Sequence, residues 1–151
     1  MLATQDHYPE EFAHCYDCGT ENENGHKLKS YLIGDVVQAR FLPDPMYSGG
    51  YPGNAYGGLI ASLLDCHGAA SAAAFCYLAE NRQMGDEVEA IRFVTGTLTV
   101  VYRKPTPLCV ELSLEGKLKS LEGRKAIIEL SLSANGQVCA TGEMIVFRFN
   151  A

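Results

Sequence analysis

The sequence predicts an α+β domain in which a long antiparallel sheet wraps around one central helix. Two observations carry this prediction. Residues 56–80 are small or apolar on nearly every side, which indicates a helix that is buried over most of its surface. From residue 88 onwards, polar and apolar residues alternate in long segments separated by turn signals, as is typical of antiparallel strands.

Composition narrows the classes of function. The 151 residues suffice for one domain with its own core. A formal net charge of −6 argues against nucleic acid as a partner, because phosphate backbones are bound by basic faces. No signal peptide is recognisable and the apolar run at 69–79 is too short to cross a bilayer, so we expect no membrane association. Six cysteines in a chain without a recognisable export signal predict a cytoplasmic protein with reduced thiols.

Residues 1–28 are predicted to form an irregular N-terminal segment, with a short helix near 9–14, ahead of a domain over 29–151. Cys15 and Cys18 are spaced as in metal or redox motifs. A structural zinc site needs four ligands, and no second pair stands at a recognisable spacing. A redox pair needs a preceding strand and a following helix. We interpret the two thiols as part of a packed turn and expect no metal.

The remaining elements follow from periodicity and turn residues. Residues 29–41 predict a strand pair that turns at Gly34 and Asp35, and the Pro-rich stretch 42–54 predicts a loop suited to a site. After the helix and a polar connection at 81–87, strands are predicted at 88–102, 110–121, 124–134 and 137–149. Asn135 and Gly136 form a strong hairpin signal. These strands are expected to form a meander.

Asp65 is the acid in the apolar part of the helix, and a buried carboxylate is costly unless it is paired or used. It is therefore a candidate catalytic residue, although a core acid paired with a serine or threonine is the alternative. Gly57 and Gly58 at the helix start leave backbone amides open to close approach. Such an amide is suited to stabilise negative charge developing on a carbonyl oxygen. Asp65 and Gly57 are expected on one side of the helix.

Four cations, Arg103, Lys104, Arg124 and Lys125, are predicted to form a local patch that fits the phosphates of a nucleotide-bearing substrate. The alternative is that they are ordinary exposed charges at strand ends and hairpins. Near Asp65, we interpret Cys66 as a small hydrophobic residue and His67 as structural, because neither has a partner at helical spacing for nucleophilic chemistry.

Four motifs in their order resemble the hotdog-fold acyl-CoA thioesterases, and most closely the phenylacetate-pathway and mitochondrial thioesterase superfamily branch. They are residues 15–25, residues 51–58 followed by Leu64 and Asp65, residues 95–108, and residues 121–125. The resemblance extends from about residue 15 to residue 149, nearly the whole chain. It implies dimers with sheets joined edge to edge, often paired into tetramers, and active sites between subunits.

The resemblance also implies roles for individual residues. Asp65 would attack the thioester carbonyl or activate water, the Gly57 amide would polarise that carbonyl, and Thr95 would position the water or the acid. Contacts with the coenzyme A moiety are implied for a second group: Val101, Arg103, Arg124 and Lys125. At the loop-to-helix junction, Asn54, Tyr56 and Gly58 are further candidates for substrate binding, although Asn54 also suits an ordinary turn.

The chain departs from the family pattern at Tyr56, where the family usually has histidine. Our first hypothesis is a homodimeric or tetrameric hydrolase of acyl-CoA thioesters without a cofactor. The second is a non-catalytic acyl-CoA or acyl-carrier binding protein, for which Tyr56 is the motivating residue. A hydratase or dehydratase is disfavoured because that chemistry pairs an acid with a histidine, and none is placed for it. The acyl group is left open.

Overall fold

The computed structural model describes residues 1–149; the last two residues of the predicted domain lie outside this range. Before the first strand are two 3-10 turns, Thr4–His7 and Glu10–Phe12. One further turn, Pro45–Tyr47, lies in the predicted loop. The regular elements are β1 (Ser30–Ile33), β2 (Val36–Phe41), α1 (Gly57–Ala79), β3 (Phe93–Tyr102), β4 (Leu112–Glu122), β5 (Lys125–Ala134) and β6 (Gln137–Arg148).

The six strands form one antiparallel sheet in the order β1-β2-β4-β5-β6-β3. The α+β class with a sheet around one helix is therefore confirmed. The expected meander is correct only for β4, β5 and β6. β3 does not pair with β4, its successor in the chain, but with β6 at the far edge. Residues 103–111 cross between the two, which the alternation within each strand could not reveal.

Helix α1 lies against all six strands. It begins and ends within one residue of the prediction, because Tyr56 and Glu80 are its capping residues. Its leucines meet apolar side chains of the sheet in one core, whose fully buried members include Leu59, Leu63, Leu64, Leu112, Leu114, Ile128, Leu132 and Met144. By length and composition α1 could cross a membrane, yet 72% of its most apolar window is buried inside the protein. It is the central helix of the fold.

The helix approaches the sheet closely at two glycines. A Cβ added to Gly116 of β4 would lie 3.0 Å from the Cβ and 2.3 Å from the Oγ of Ser71. One added to Gly68 of α1 would lie 2.1 Å from the Met144 sulfur. Glycine at these positions lets the helix and the sheet pack at a distance that no larger residue permits.

β3 begins at Phe93, five residues later than predicted. The preceding segment is held as a polar loop instead, because Arg82 donates to the Asp86 carboxylate and to the Glu89 carbonyl oxygen. The Ile91 amide then donates to the Tyr77 hydroxyl at 3.0 Å. These bonds satisfy backbone groups that a strand would have used in the sheet.

His67 lies in α1 with no exposed surface and belongs to a buried hydrogen-bond network. Its Nε2 lies 3.0 Å from the Val37 carbonyl oxygen, which can only accept, so Nε2 carries the proton. Nδ1 then accepts from the Ser30 hydroxyl at 2.8 Å, and Gln5 completes the network through both its amide atoms. His67 thus ties α1 to β1, β2 and the N-terminal segment. This geometry agrees with the structural role assigned to His67.

We predict that Gly116→Ala lowers the free energy of unfolding by about 1–3 kcal/mol, because the added methyl group overpacks against Ser71. Gly50→Ala is the matched control, since a Cβ there meets nothing within 4 Å. Urea unfolding followed by circular dichroism measures both. Equal stability of the two variants would show that close packing at Gly116 is not a constraint.

Stability should also fall in mild acid through His67. Burial lowers its pKa to about 4, whereas an unfolded histidine titrates near pH 6.5. Below pH 6.5 the His67 side chain binds a proton in the unfolded chain but not in the native state. The free energy of unfolding should therefore drop by about 2 kcal/mol from pH 7 to pH 5. His67→Gln, which cannot titrate, is the control. An identical pH dependence in both proteins would contradict the prediction.

Candidate active site

One face of α1 is not buried in the core. Ser62, Asp65, Cys66 and Ala69 are each only partly buried, and their spacing places them along one side of the helix. The sequence predicted a helix buried nearly all round with Asp65 inside it. That expectation is wrong for this face, because the N-terminal segment and the start of β3 stand away from it and leave a cavity. Asp65 is therefore a partly exposed carboxylate rather than a core acid.

The cavity has a volume of about 270 Å³. Three parts of the chain line it: the N-terminal segment, the open face of α1 and the first residues of β3. The lining residues are Tyr8, Phe12, Cys15, Cys18, Gly19, Asp65, Cys66, Ala69, Arg92, Phe93, Val94 and Thr95. The Arg92 guanidinium stacks on the Phe12 ring at 3.6 Å and so holds the N-terminal segment over the sheet.

Asp65 and Thr95 meet in this cavity. The Thr95 hydroxyl donates to Oδ1 of Asp65 at 2.5 Å, a short bond of the charge-assisted kind. Thr95 stands at a β-bulge, where the register of β3 with β6 shifts between Thr95 and Thr97. Bulges of this kind redirect side chains beside functional sites. Two of the three predicted catalytic residues are thus in direct contact.

The start of α1 forms a second polar region. The Gly57 and Gly58 amides precede the first helical hydrogen bond, which Leu59 makes to the Tyr56 carbonyl oxygen. The Tyr102 hydroxyl donates to the Gly57 carbonyl oxygen at 2.8 Å. A Cβ on Gly58 would lie 2.5 Å from the Tyr56 ring, so glycine there makes room for this tyrosine. The hydrogen bond from Tyr102 to the start of α1 was not predicted from the sequence.

Gly57 and Asp65 lie about 12 Å apart along the helix axis, at the helical rise of about 1.5 Å per residue. The two residues line different cavities. Asp65 lines the cavity described above, whereas Gly57 lines a second one with Tyr102, Arg103 and Lys104. The expectation that both groups lie on one side of the helix stays a prediction. The two groups are too far apart to reach the same carbonyl.

Asn54 lies in the loop before α1 and has backbone partners. Its carbonyl oxygen accepts from the Gly49 amide at 2.8 Å, its amide donates to the Tyr51 carbonyl oxygen, and it forms an isolated bridge with Pro107. Its side-chain amide lies 3.4 Å from the Pro52 carbonyl oxygen. These contacts give Asn54 a turn role, while a contact with substrate stays a prediction.

The four predicted cations do not form one patch in the chain. Register places Lys125 opposite Phe147 and Phe93 opposite Arg148, whereas Tyr102 pairs with Ala140 at the other end of the same strands. Arg124 and Lys125 therefore lie near the Asp65 end of β3, and Arg103 and Lys104 near the Gly57 end. The prediction of a single patch is therefore wrong: the cations form two exposed pairs. The antiparallel pairing of β3, β5 and β6 places the two pairs at opposite ends of these strands.

Arg103 and Arg124 each make a bond within the chain. The Arg103 Nε donates to the Thr141 hydroxyl at 3.0 Å. The Arg124 guanidinium donates to the Arg148 carbonyl oxygen at 3.0 Å. Both side chains and those of Lys125 and Val101 are exposed, so they remain accessible to a ligand.

Three thiols cluster beside Asp65. Cys15 and Cys66 have their sulfur atoms 3.5 Å apart, and the Cys18 sulfur completes a group within 4.8 Å. Hydrogen bonds from Cys18 and Cys66 hold the pKa of the Cys15 thiol well below its usual value. Hydrogen bonds with Cys15 and Cys18, together with burial, raise the pKa of the Cys66 thiol. From sequence, only Cys15 and Cys18 were paired. No local signal marked Cys66, because its contact with Cys15 spans 51 residues of sequence.

The six-stranded antiparallel sheet around one helix, with a polar site on the open side of that helix, defines the hotdog fold. No family model matches the chain, and no curated protein matches it. Among solved structures, a thioesterase superfamily protein from Shewanella loihica PV-4 is 38% identical, with 95% of this chain and 100% of that chain covered and a TM-score of 0.68. The chain therefore belongs to the thioesterase superfamily.

Two more distant structures share the fold. The PaaI protein of the E. coli phenylacetic acid degradation operon is 10% identical, with 83% of this chain and 82% of that chain covered and a TM-score of 0.66. A hypothetical thioesterase from Streptococcus pneumoniae TIGR4, solved with coenzyme A, is 15% identical, with 87% and 91% covered and a TM-score of 0.66. The thioesterase superfamily neighbours support a function of the thioester hydrolase type.

Proposed function

We propose that the protein hydrolyses acyl-CoA thioesters to a free acid and coenzyme A. Asp65 acts as general base or nucleophile, the Gly57 amide as oxyanion donor and Thr95 as the residue that positions Asp65. The observation that carries the proposal is the Thr95–Asp65 hydrogen bond at 2.5 Å inside a cavity of a thioesterase superfamily fold.

The geometry suits either role of Asp65. Thr95 donates to Oδ1, which leaves Oδ2 to take a proton from water or to attack the carbonyl carbon directly. In either case negative charge develops on the carbonyl oxygen, and one preorganised amide donor there commonly lowers the barrier by about 3 kcal/mol. The carbon–sulfur bond then breaks, and the coenzyme A thiolate leaves and takes up a proton. Where Asp65 is the nucleophile, this step leaves a mixed anhydride on Asp65, which water hydrolyses to the free acid and the restored carboxylate.

Both groups can act on one carbonyl only if they come from two chains, because about 12 Å of helix separates them within one chain. β3 offers the means, since it is an edge strand of ten residues whose Val94, Val101 and Tyr102 are exposed. Antiparallel two-fold pairing of β3 with a second copy brings the Thr95 end of one strand opposite the Tyr102 end of the other. We therefore propose a homodimer, or a tetramer of two such dimers, with composite sites.

The same pairing supports coenzyme A binding by both pairs of cations. Arg103 at the Gly57 end of one copy would approach Arg124 and Lys125 at the Asp65 end of the other. Guanidinium and ammonium groups are suited to the phosphates of the coenzyme. Val101 is exposed on β3 beside Arg103, where it can contact the pantetheine chain. The distant structure solved with coenzyme A supports this choice of ligand. Tyr56 and Gly58 would contact the acyl side.

A second candidate function is acyl-CoA or acyl-carrier binding without hydrolysis. The observation that favours it is Tyr56, whose ring lies over Gly58 at the start of α1. The resemblance noted from the sequence implies a histidine at this position. A phenol can donate a hydrogen bond but does not supply an imidazole. Tight binding without release of free coenzyme A would favour this function over hydrolysis.

We expect wild-type protein to hydrolyse at least one member of an acyl-CoA panel, and Asp65→Asn to lower kcat about 100- to 10,000-fold, as loss of a general base or nucleophile does. Chromatographic separation of coenzyme A from its thioester measures the rate. Calorimetry with the same thioester should show that Asp65→Asn still binds. Equal rates for the two proteins would remove Asp65 from the mechanism, and binding with no turnover by wild type would establish the second function.

Gly57→Pro should reduce kcat about 100-fold, because proline removes the amide hydrogen of the proposed oxyanion donor. Proline is tolerated at the first helical position, and Tyr56 already has the extended conformation, φ −68° and ψ 150°, that precedes proline. Gly57→Ala is the matched control: it keeps the amide and places a Cβ 3.3 Å from the Tyr102 ring. A similar loss in both variants would point to steric effects instead.

Mixing these variants tests the composite site. Dimers formed from Asp65→Asn and Gly57→Pro chains contain one site with both groups intact and one with neither. Random reassociation after mild unfolding should therefore restore about a quarter of wild-type activity. Sites confined to one chain would show no restoration at all.

A further inference from the structure

The cysteine cluster has no part in the proposed hydrolysis, yet its geometry is specific. Cys15 and Cys18 come from the N-terminal segment, and Cys66 comes from the middle of α1. The Cys15 and Cys66 sulfur atoms are 3.5 Å apart, and all three sulfur atoms lie within 4.8 Å of one another. A tetrahedral zinc site with bonds of about 2.3 Å places its sulfur ligands about 3.8 Å apart. The Cys15–Cys66 distance is close to this value, and the other two sulfur–sulfur distances are at most 4.8 Å.

The turn that carries Cys15 and Cys18 is built tightly. The Gly19 amide donates to the Cys15 carbonyl oxygen at 2.8 Å, and a Cβ on Gly19 would lie 2.4 Å from the Ala13 carbonyl oxygen. Only glycine permits this turn, which places both thiols beside Cys66.

We propose that Cys15, Cys18 and Cys66 bind one Zn²⁺ ion through their three sulfur atoms, with a water molecule from the adjoining cavity as fourth ligand. A metal uses all three sulfurs at the distances observed, whereas a disulfide would join two and leave the third unpaired. Thiolates are soft ligands that select zinc among common divalent ions of the cell. Binding releases the remaining thiol protons to solvent.

The surroundings of the cluster also suit a cation. Asp17 is 4% exposed, and its Oδ2 has no hydrogen-bond partner among residues 1–149. Its Oδ1 accepts from the Ser62 hydroxyl, one helical turn before Cys66, at 3.1 Å. A buried carboxylate with an unpaired oxygen is costly unless a positive charge compensates it. The Nε2 atom of His26 lies 4.0 Å from Oδ1 of Asp17. Arg92 lines the cavity that adjoins the three cysteines.

The bound metal would join the N-terminal segment to the central helix, and the inference does not depend on the proposed hydrolysis. The test is the zinc content of untagged full-length protein, purified under reducing conditions without chelator and measured by mass spectrometry of the element. We expect one zinc per chain in wild type. Cys15→Ser, Cys18→Ser and Cys66→Ser should each lower affinity for zinc by more than the roughly 10- to 100-fold that loss of an outer-shell partner costs.

Cys109→Ser is the matched control, because this cysteine is exposed and stands outside the cluster. It should retain one zinc per chain. Loss of metal from Cys109→Ser to the same degree as from Cys66→Ser would overturn the proposal. So would wild-type protein that contains a Cys15–Cys66 disulfide and takes up no zinc after reduction.

Wild-type protein alone decides the matter if the serine variants fail to fold. Metal-free protein titrated with Co²⁺ should develop thiolate-to-cobalt charge-transfer absorption and the intense ligand-field bands of tetrahedral cobalt, saturating at one equivalent. Added Zn²⁺ should abolish both. A titration without charge-transfer bands would exclude thiolate coordination and refute the site.

Discussion

The close contact between α1 and the sheet is the constraint on which the rest of the molecule depends. Gly116 and Gly68 remove the side chains that would hold helix and sheet apart, and Ser71 and Met144 fill the space so created. His67 then fixes the helix rotation, because both its ring nitrogens are bonded to neighbouring elements. With this side of α1 packed against the sheet, the opposite side can carry polar and reactive groups without loss of core packing.

The fold followed from sequence where the signals are local. The limits of α1 were found within one residue, since its small and apolar composition ends abruptly at Tyr56 and Glu80. The strands β4 to β6 followed from alternation and from the Asn135–Gly136 turn, whose residues both have positive φ. The position of β3 did not follow, because edge pairing with β6 is decided by contacts distant in sequence. Alternation within a strand carries no information on its neighbour.

The candidate site was less accessible to sequence reasoning. Asp65, Gly57 and Thr95 were found through motif order, and the structure places Asp65 in contact with Thr95. The separation of Gly57 from Asp65 follows from the eight residue steps of helix between them, at about 1.5 Å each. Cys66 was missed because 51 residues separate it from Cys15, and nothing local marks such a contact. The cationic patch was wrong for a related reason, since strand direction separates its members.

The outer edge of β3 affects how the chain behaves while it folds. Its ten residues, Phe93–Tyr102, include no proline and no charged side chain, the two devices that most often keep sheet edges from sticking together. Apart from the bulge at Thr95, the strand is an open template for any other extended polypeptide. Newly made chains are therefore prone to aggregate through this strand. The proposed pairing of β3 across two copies would also bury this edge.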